Sequence, residues 1–487
     1  MSTGPVPHVV VVGGGIAGLA AAWFLGQRAA GAVRVTVLEA GPVVGGKLRV
    51  SEVAGLPVDE GAEALLVRRS EAVALTRAVG LGDDVVHPAV QGATLWTRDR
   101  LRPMPAGQLM GIPGDLRALA ASGTITLPGL ARIPLDHVLP RTPVSGDVSV
   151  GRFVSARLGR EVLDRLVEPV LGGVYAGHAD ELSLDATIPQ LSGAIRVERS
   201  LLKGVQQVLG AGARGNAERA PVFASLRGGL GRLPAAVAAA SRAEVRTGAT
   251  VRELRRSPGG WRVVIGPTRS PEVLFADAVV LAVPAPPASR LLRDVAPSAA
   301  TDLAAIEYAS VALVTLAFPR DAVTRPLAGT GFLVPPVEER FVKAATYSSR
   351  KWAWLEAADP GVVVVRLSVG RHGEEQDLQH TDEDLAWWAQ ADLETATDIV
   401  DAPLDWRVTR WGGGLPQYAV GHLDRVTRIR RAVAELTGLA VCGAAYDGVG
   451  VPACVASADA AVARVLRDLA ERRQWGNGSD SRQAEGP

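Results

Sequence analysis

A glycine-rich run near the start of the chain has the composition and spacing to bind a dinucleotide. Residues 13–18 read G-G-G-I-A-G and fit the pattern G-x-G-x-x-G. Gly13 would permit a tight turn, Gly15 would let the backbone approach a pyrophosphate, and Gly18 would let a helix pack on a strand. Glu39 follows about 20 residues later, where a carboxylate can accept hydrogen bonds from ribose hydroxyls. The other loop residues predicted to contact the ligand are Gly14, Ile16 and Ala17.

The residues around this run predict the elements that would position it. Residues 9–12 are four consecutive valines and predict a buried strand, and residues 19–25 predict a helix. A second strand over 33–38 would end at Glu39. The helix N-terminus would then face an anion with free N–H groups and a partial positive charge. The alternative is a glycine turn that binds nothing, and the pattern itself does not separate NAD from FAD.

A second glycine pair follows the acid directly. Residues 40–47 read A-G-P-V-V-G-G-K. The pair resembles the second signature of FAD-dependent oxidases of the amine-oxidase type. A second close backbone approach suits the long FAD molecule, so Ala40, Gly46 and Lys47 are predicted on the cofactor side.

Size and charge exclude several classes of function. The 487 residues can hold two or three domains. Lys and Arg number 52 against 51 Asp and Glu, so no global field would draw the chain to nucleic acid. Cys442 and Cys454 are the two cysteines, which give no disulfide framework and no four-ligand zinc site, and they fit a reducing cytoplasm. The histidines show no metal-ligand spacing, so no metal is expected.

The sequence predicts no membrane span and no signal peptide. Residues 9–26 carry no charge, but three consecutive glycines mark a turn within them. No Lys or Arg precedes this run, as a signal peptide would require. Residues 278–283 are apolar but stop at Pro284. The tail 473–487 is polar and Gly/Ser-rich, and is predicted to be disordered.

Later segments predict the partners of the N-terminal unit. Residues 244–283 read as a small β-meander and a closing strand, after an alanine-rich helix. Residues 439–442 form a strand candidate, followed by a glycine loop and a helix that starts at Pro452, a favourable first position. Between these pieces, 150–158 and 161–171 are helical patterns, and 381–393 is a helix capped by Thr381.

Several blocks resemble one enzyme family over about residues 8 to 470. They read V-L-G-G-V-Y-A-G (170–177), W-G-G-G-L-P-Q-Y-A-V-G-H-L (411–423) and C-G-A-A-Y-D-G-V-G-V-P-A-C (442–454). Together they resemble the porphyrinogen oxidases of haem synthesis, the soluble coproporphyrinogen III/protoporphyrinogen IX oxidase group. The resemblance implies an α/β fold of the amine-oxidase and p-hydroxybenzoate-hydroxylase type. Its parts would be a Rossmann-type FAD-binding domain (1–55, 222–290 and 418–472), an α+β substrate domain (56–94 and 291–417) and a helical domain (95–221).

The resemblance also implies the reaction. Coproporphyrinogen III would lose six electrons in three two-electron steps through FAD, with dioxygen as acceptor and hydrogen peroxide released. The helix near Pro452 would stabilise negative charge on the reduced flavin. No general base is evident. Further predicted cofactor contacts are Gly61, Ala62, Glu63, Ala64, Val251, Trp411, Val449, Gly450 and Val451. Val251 could instead be a plain core valine, and Trp411 could stack on flavin or merely fill core.

A pocket for four propionates should offer cations at its rim. Arg69 is the first candidate, and the alternative is a solvated surface arginine. Arg98, Arg100 and Arg102 alternate, so on a strand they would share one face, although charge runs usually face water. Tyr175 and Tyr418 could line the macrocycle pocket or simply be buried. The carbonyl of Gly173 is a candidate acceptor for pyrrole protons.

Three alternatives stay open. Protoporphyrinogen IX could be the main substrate. The chain could be an amine oxidase or desaturase on the same scaffold, although the strand candidate 310–318 lacks the lysine that amine oxidases usually carry on a central strand. It could also be a FAD-binding scaffold without activity. Expected partners are transient contacts with ferrochelatase or a haem-forming decarboxylase, and at most weak peripheral contact with a membrane.

Overall fold

The computed structural model of the protein describes residues 6–143, 146–213 and 221–483. Strands and helices are numbered in chain order. A parallel sheet is built from strands of three distant parts of the chain: β1 (His8–Val12), β2 (Arg34–Leu38), β12 (Glu244–Arg246), β16 (Ala278–Leu281) and β22 (Leu439–Val441). Their order is β12-β2-β1-β16-β22. This sheet supports the proposed discontinuous cofactor domain.

Both faces of this sheet are covered, which explains the unbroken run of valines in β1. Val9 and Val11 pack in one core cluster and Val10 and Val12 in another. The first cluster includes residues of α1 (Ile16–Ala29), α2 (Ser70–Ala78), α11 (Leu233–Ser241) and α18 (Val451–Gln483). The second includes residues of α12 (Ala285–Leu292), α13 (Pro297–Ala304) and α17 (His422–Ala434).

The predicted β-meander is confirmed on the second face. It consists of β13 (Val251–Ser257), β14 (Gly260–Ile265) and β15 (Glu272–Ala276), paired antiparallel. Trp261 of β14 is fully buried and packs with Leu281 of β16 in the same cluster. The meander therefore closes the face of the sheet opposite α1.

A second sheet carries the other half of the molecule. Its members are β7 (Thr94–Thr97), β8 (Arg100–Pro103), β17 (Tyr308–Pro319), β18 (Gly331–Leu333), β19 (Val342–Tyr347), β20 (Val362–Val369) and β21 (Asp405–Pro416). The order is β21-β17-β20-β19-β18-β7-β8.

The two faces of this second sheet differ. Ala312, Val314 and Leu316 of β17 pack with α16 (Asp382–Thr397) on the outer face. The predicted cap of that helix is confirmed, because the Thr381 hydroxyl accepts the Asp384 N–H at 3.1 Å. Alternate side chains point to the inner face, where Ala317 packs in a separate cluster with Val53 and Val58. Two short helices follow β19 and border the inner face: α14 (Ser348–Lys351) and α15 (Ala353–Ala358).

Residues 116–143 and 146–213 form a helical region around one core cluster. Its helices are α3 (Leu116–Ser122), α4 (Leu127–Arg132), α5 (Val150–Leu158), α6 (Arg160–Val162), α7 (Glu168–Tyr175), α8 (Leu184–Thr187), α9 (Pro189–Ile195) and α10 (Leu201–Ala213). The predicted helix over 150–158 is confirmed. The one predicted over 161–171 is interrupted by a π-helical turn, Leu163–Val167.

Short strands complete the fold: β3 (Val50–Val53), β4 (Leu56–Asp59), β5 (Leu65–Leu66), β6 (Val85–Val86), β9 (Gln108–Leu109), β10 (Ile112–Pro113) and β11 (Phe223–Leu226). The last helix, α18, continues to Gln483, into the tail for which composition predicted disorder, and 484–487 lie outside the described residues. Within the described ranges, no helix is both long and apolar enough to cross a membrane.

Candidate functional site

The N-terminal glycines are required by the packing of the loop between β1 and α1. Gly13 has φ 109°, and a Cβ on it would lie 2.5 Å from the carbonyl oxygen of Ala282. A Cβ on Gly18 would overlap the carbonyl oxygen of Gly13. By contrast, a Cβ on Gly15 would meet nothing within 4 Å. Two glycines therefore serve the fold, whereas the space beside Gly15 is open to a ligand.

The two glycine signatures lie side by side. The Gly45 N–H donates to the Gly14 carbonyl at 2.8 Å, and Gly15 pairs with Gly45 as an isolated parallel bridge. A Cβ on Gly46 would be 3.4 Å from Gly15 Cα. Helix α1 begins at Ile16 with no side-chain cap, so its first N–H groups have no intrahelical acceptor. The loops form one cradle whose chemistry suits a pyrophosphate.

The acid at the end of β2 is held by the backbone around it. Glu39 Oε2 accepts from the Gly14 N–H and Oε1 from the Gly41 N–H, both at 2.7 Å. A carboxylate has about four lone-pair sites, so two remain for ribose hydroxyls. Ala40 next to it is exposed. The Ala249 N–H donates to the Glu39 carbonyl at 2.8 Å, which brings the start of β13 to this point.

Val251 begins β13 just beyond this contact. It pairs with Ile265, and the register shifts between Val251 and Glu253. Its side chain is partly buried and packs against the second core cluster. The side chain of Val251 thus packs in the core. Its backbone lies near the carboxyl end of β2, so the predicted backbone contact with adenine stays a prediction.

The segment that follows β4 crosses the second glycine pair. A Cβ on Gly61 would overlap the Lys47 carbonyl oxygen, which also accepts the Ala62 N–H at 3.2 Å. Gly61 thus allows this close crossing. The segment leads from β4 to β5, and Ala64 at its end packs partly buried against the core cluster under β4.

Glu63, a predicted cofactor contact, has its side chain engaged within the protein. Its buried carboxylate forms ion pairs with Lys351 and, at 3.4 Å, with Arg366. These cations keep the pKa of Glu63 below its usual value despite desolvation by burial. A cofactor contact at Glu63 stays a prediction, and the backbone of this residue lies outside the ion-pair network. Sequence reasoning missed this network, because its partners are about 290 to 300 residues apart in the chain and carry no motif.

The start of α18 presents unpaired N–H groups. The first intrahelical donor is Cys454, whose N–H bonds to the Gly450 carbonyl at 3.1 Å. The N–H groups of Val451 and Ala453 precede it and have no intrahelical acceptor. The predicted contact residues Val449, Gly450 and Val451 therefore stand at a helix end whose dipole favours negative charge.

Lys47 is a cation without a counter-ion. Its ammonium group has no hydrogen bond or ion pair among the described residues, and burial lowers its pKa. It lies close enough to Cys454, in the first turn of α18, to counteract part of the rise that burial causes in the pKa of that thiol. Lys47 therefore stands between the second glycine pair and the start of α18, where an anionic or electron-rich ligand would give it a partner. This position fits the predicted cofactor-side role.

Trp411 lies on β21 and faces the Gly61 segment. Its indole N–H donates to the Glu60 carbonyl at 2.7 Å, and its ring packs partly buried near Ala309 and Val311. The ring thus contributes to packing, and its predicted contact with flavin stays a prediction. A stack on a ligand would use the part of the ring that stays accessible.

The block G-V-Y-A-G forms the end of α7. Gly173 is exposed, and a Cβ on it would meet only Leu333 of β18, at 3.5 Å. Tyr175 is buried, which raises its pKa to about 12. Ala176 ends the helix with φ 51°. This places Gly173 at an open surface between the helical region and the second sheet, as a substrate-facing backbone group requires.

Tyr418 was predicted either to line the macrocycle pocket or to be buried, and its side chain is buried. It is 1% exposed, and its ring lies 5.7 Å from that of Tyr175. Its hydroxyl donates to the Ala444 carbonyl at 2.6 Å and accepts the Gly448 N–H at 2.8 Å. The side chain therefore binds the loop before α18. The sequence pattern identified the block around Tyr418, but it could not predict the hydrogen-bond partners of the Tyr418 hydroxyl.

Arg69 stands at the N-terminus of α2, beside the same loop. Its guanidinium pairs with Glu71 at 3.2 Å, and its side chain is 43% exposed. A Cβ on Gly448 would be 3.9 Å from Arg69 Nη1. A half-exposed cation next to the loop before α18 is compatible with a propionate clamp at the rim of a pocket.

The second cationic group does not form as predicted. Arg98 is in the turn between β7 and β8, with φ 55°, so it does not share a strand face with Arg100 and Arg102. Arg98 donates to the Gly123 carbonyl at 3.3 Å, and Arg102 donates to the Thr97 carbonyl at 3.3 Å. The guanidinium groups of Arg98 and Arg102 therefore each bind a backbone carbonyl group of the protein.

No metal centre is evident in the part of the chain that the structure describes, where no three His, Cys, Asp or Glu side chains are grouped to hold an ion. Cys442 and Cys454 are free and buried. Burial raises the pKa of Cys454 to about 11 and that of Cys442 further. Neither thiol has the low pKa of a reactive cysteine.

Known proteins share this architecture over almost the whole chain. Residues 16–466 match the family described as flavin containing amine oxidoreductase. The chain is 33% identical over 469 residues to the coproporphyrinogen III oxidase of Bacillus subtilis, covering 95% of this chain and 98% of that protein. It is 37% identical over 467 residues to the coproporphyrinogen III oxidase of Mycobacterium tuberculosis, covering 94% and 97%.

A solved structure agrees with these matches. The crystal structure of a protein from Exiguobacterium sp. 255-15, provisionally named protoporphyrinogen oxidase, superimposes with a TM-score of 0.83 at 32% identity. The superposition covers 96% of the present chain and 99% of the Exiguobacterium chain. The amine-oxidase-type fold predicted from the glycine motifs is confirmed, and FAD is the cofactor that the cradle fits. The chain belongs to the flavin-containing amine oxidoreductase family and is an FAD-dependent oxidoreductase.

Proposed function

We propose that the protein oxidises coproporphyrinogen III to coproporphyrin III with dioxygen, as a step of haem biosynthesis. The observation that carries this proposal is the full-length similarity to enzymes named coproporphyrinogen III oxidase, combined with an intact cradle for FAD. Arg69 lies beside the loop before α18. Gly173 is an exposed residue of α7, and Tyr175 of the same helix contacts Tyr418 at that loop.

The balance of the reaction follows from the substrate. FAD, when bound, supplies two-electron chemistry, so three rounds remove six electrons and six hydrogens while three dioxygen molecules become three hydrogen peroxide molecules. The residues of the chain bind and orient. Gly15, the first N–H groups of α1 and Glu39 would hold the pyrophosphate and ribose. Val451 and Ala453 would donate from α18 to the electron-rich end of the flavin.

On the substrate side, we propose roles for Arg69, Gly173 and Tyr175. Arg69 would bind a propionate, because a guanidinium pairs well with a carboxylate. The carbonyl of Gly173 would accept a pyrrole N–H, and the missing side chain leaves room for a large macrocycle. Tyr175 would support this end of α7 from below through its buried ring.

An assay of the purified holoprotein tests the proposal. With coproporphyrinogen III, we expect a fluorescent porphyrin and the uptake of three dioxygen molecules for each product, measured against a protein-free autoxidation control. Faster turnover of protoporphyrinogen IX would make that compound the main substrate. Absence of porphyrin formation from either compound would contradict the proposal.

An amine oxidase is the second candidate, because one buried lysine does lie on a central strand of the second sheet. Lys343 is on β19, and burial lowers its pKa to about 7. Its ammonium group donates to the Gly370 carbonyl at 2.6 Å, which gives it a backbone partner rather than a ligand. Turnover of a primary amine, lost in Lys343→Met, would favour this candidate.

We propose a cytoplasmic location, which suits the two free cysteines. The product would pass to an enzyme that inserts iron, and transient contacts with a ferrochelatase or a haem-forming decarboxylase remain proposals. Pull-down of the holoprotein with either enzyme, compared with an unrelated flavoprotein, is the measurement that checks them.

A further inference from the structure

Two aromatic side chains of the block at 417–422 bind three backbone groups of the loop that leads into α18. Tyr418 and His422 are both buried, at 1% and 0% exposure. Their rings are stacked, with centroids 3.8 Å apart and planes inclined by 15°. The pair therefore acts as one rigid unit.

The tyrosine holds two of the three groups. Its hydroxyl donates to the Ala444 carbonyl and accepts the Gly448 N–H, at 2.6 and 2.8 Å. Gly448 has φ 139°, a conformation that glycine adopts readily and other residues avoid. The Tyr418 hydroxyl thus binds the loop at a residue with a positive φ, one position before Val449.

The histidine holds the third group. Nε2 of His422 lies 3.3 Å from the Tyr446 carbonyl, which can only accept a hydrogen bond. Burial lowers the pKa of His422 to about 4, so the ring is neutral at ordinary pH. The proton must then be on Nε2 for this bond to form, which fixes the tautomer.

The same block contacts the substrate-facing helix. Nε2 of Gln417 donates to the Tyr175 carbonyl at 2.8 Å, and the rings of Tyr418 and Tyr175 are 5.7 Å apart. A Cβ on Gly177 would overlap Oε1 of Gln417, so the missing side chain at Gly177 lets the backbone after α7 pack directly against the glutamine. One short segment therefore connects the end of α7 with the start of α18.

We propose that Tyr418 and His422 are positioning residues that set the start of α18 against the cofactor and, through Tyr175, against the substrate. The proposal rests on the proposed function only for the identity of the substrate. The N–H groups of Val451 and Ala453 can stabilise a reduced, negatively charged flavin only if the loop before them is held in place. Loss of the Tyr418 hydroxyl should therefore weaken binding of the reduced cofactor more than binding of the oxidised one.

Tyr418→Phe keeps the stacked ring and removes both hydrogen bonds. We expect the affinity for reduced relative to oxidised FAD to fall about tenfold, which lowers the two-electron midpoint potential by about 30 mV. We expect kcat to fall by a similar factor with KM nearly unchanged, because a transition-state interaction is lost. Tyr347→Phe is the matched control, since that buried hydroxyl has no hydrogen-bond partner among the described residues and Tyr347 packs in the outer-face cluster of the second sheet.

The outcomes separate this proposal from the proposed function. A shifted potential in Tyr418→Phe and an unchanged one in Tyr347→Phe would support positioning even if the wild-type protein oxidised no porphyrinogen. An unshifted potential in a folded Tyr418→Phe holoprotein would overturn it. If that variant does not fold, hydrogen exchange of the wild-type holoprotein decides: a protected Gly448 amide supports the proposal, and exchange as fast as in an exposed loop overturns it.

Discussion

Gly15→Ala separates ligand binding from folding more cleanly than any other change in the glycine loop. Gly15 has φ −73° and ψ 176°, which an alanine adopts without strain. The added methyl group would meet no protein atom within 4 Å. It would instead project into the cradle between the two glycine signatures, where the pyrophosphate of FAD is proposed to bind.

The expected magnitudes follow from these contacts. Replacing glycine at an allowed conformation stabilises a fold by about 0.4–1 kcal/mol, whereas alanine is a poorer N-cap than glycine, so the two effects oppose. The apoprotein should therefore melt within about 4 °C of the wild type. Losing one charge-assisted hydrogen bond to the pyrophosphate costs about 1.5–3 kcal/mol, which raises the Kd for FAD by about 10- to 150-fold.

The assay is a titration of apoprotein with FAD, followed by the quenching of flavin fluorescence, together with thermal melting of the same samples. Gly193→Ala is the matched control, since a Cβ there also meets nothing within 4 Å and Gly193 lies in α9 of the helical region. That variant should keep the wild-type Kd. A wild-type Kd in Gly15→Ala would refute the placement of the pyrophosphate.

Three further changes test other parts of the account. Arg69→Ala should raise KM for coproporphyrinogen III about 5- to 30-fold and lower kcat less, because a propionate clamp binds substrate and transition state alike; an unchanged KM removes Arg69 from the site. Glu63→Gln leaves Lys351 and Arg366 without their buried carboxylate, so urea unfolding should show a loss of about 3–5 kcal/mol, and a loss below about 1 kcal/mol would contradict the ion-pair assignment. His178 has a raised folded pKa because of its hydrogen bond to a carboxylate. Its contribution to stability should be complete below the ordinary pKa of 6.5 and lost as the pH rises through the folded value, and His178→Gln should remove that dependence in urea unfolding.

Much of the fold followed from local patterns. Four valines at 9–12 favour a strand covered on both faces. A Cβ at position 13 or 18 would lie closer than van der Waals distance to a backbone oxygen, so both positions require glycine. The meander over 251–276 has the alternation and turns of three short strands. The order of the second sheet could not be predicted, because β7 and β18 pair in parallel across more than 200 residues of chain with no local signal.

The parts of the site formed by backbone could be predicted from the sequence. The hydrogen-bond and ion-pair partners of its side chains could not. The cradle at Gly15 depends on missing side chains, which sequence reveals directly. The directions of Glu63 and Tyr418 depend on groups that only the folded chain brings together. Arg98 was misplaced because β8 begins at Arg100, two residues later than the alternation suggested, and the tight turn before it holds Arg98 at positive φ.

The most direct test of the central claim is anaerobic reduction of the purified holoprotein by coproporphyrinogen III. Without dioxygen, each protein-bound FAD can accept two electrons, and each porphyrinogen must lose six. We predict bleaching of the flavin absorbance with one coproporphyrin formed for about three FAD reduced, as the two-electron capacity of the cofactor requires. A flavin that stays oxidised with coproporphyrinogen III and protoporphyrinogen IX, but bleaches with a primary amine, would contradict the account.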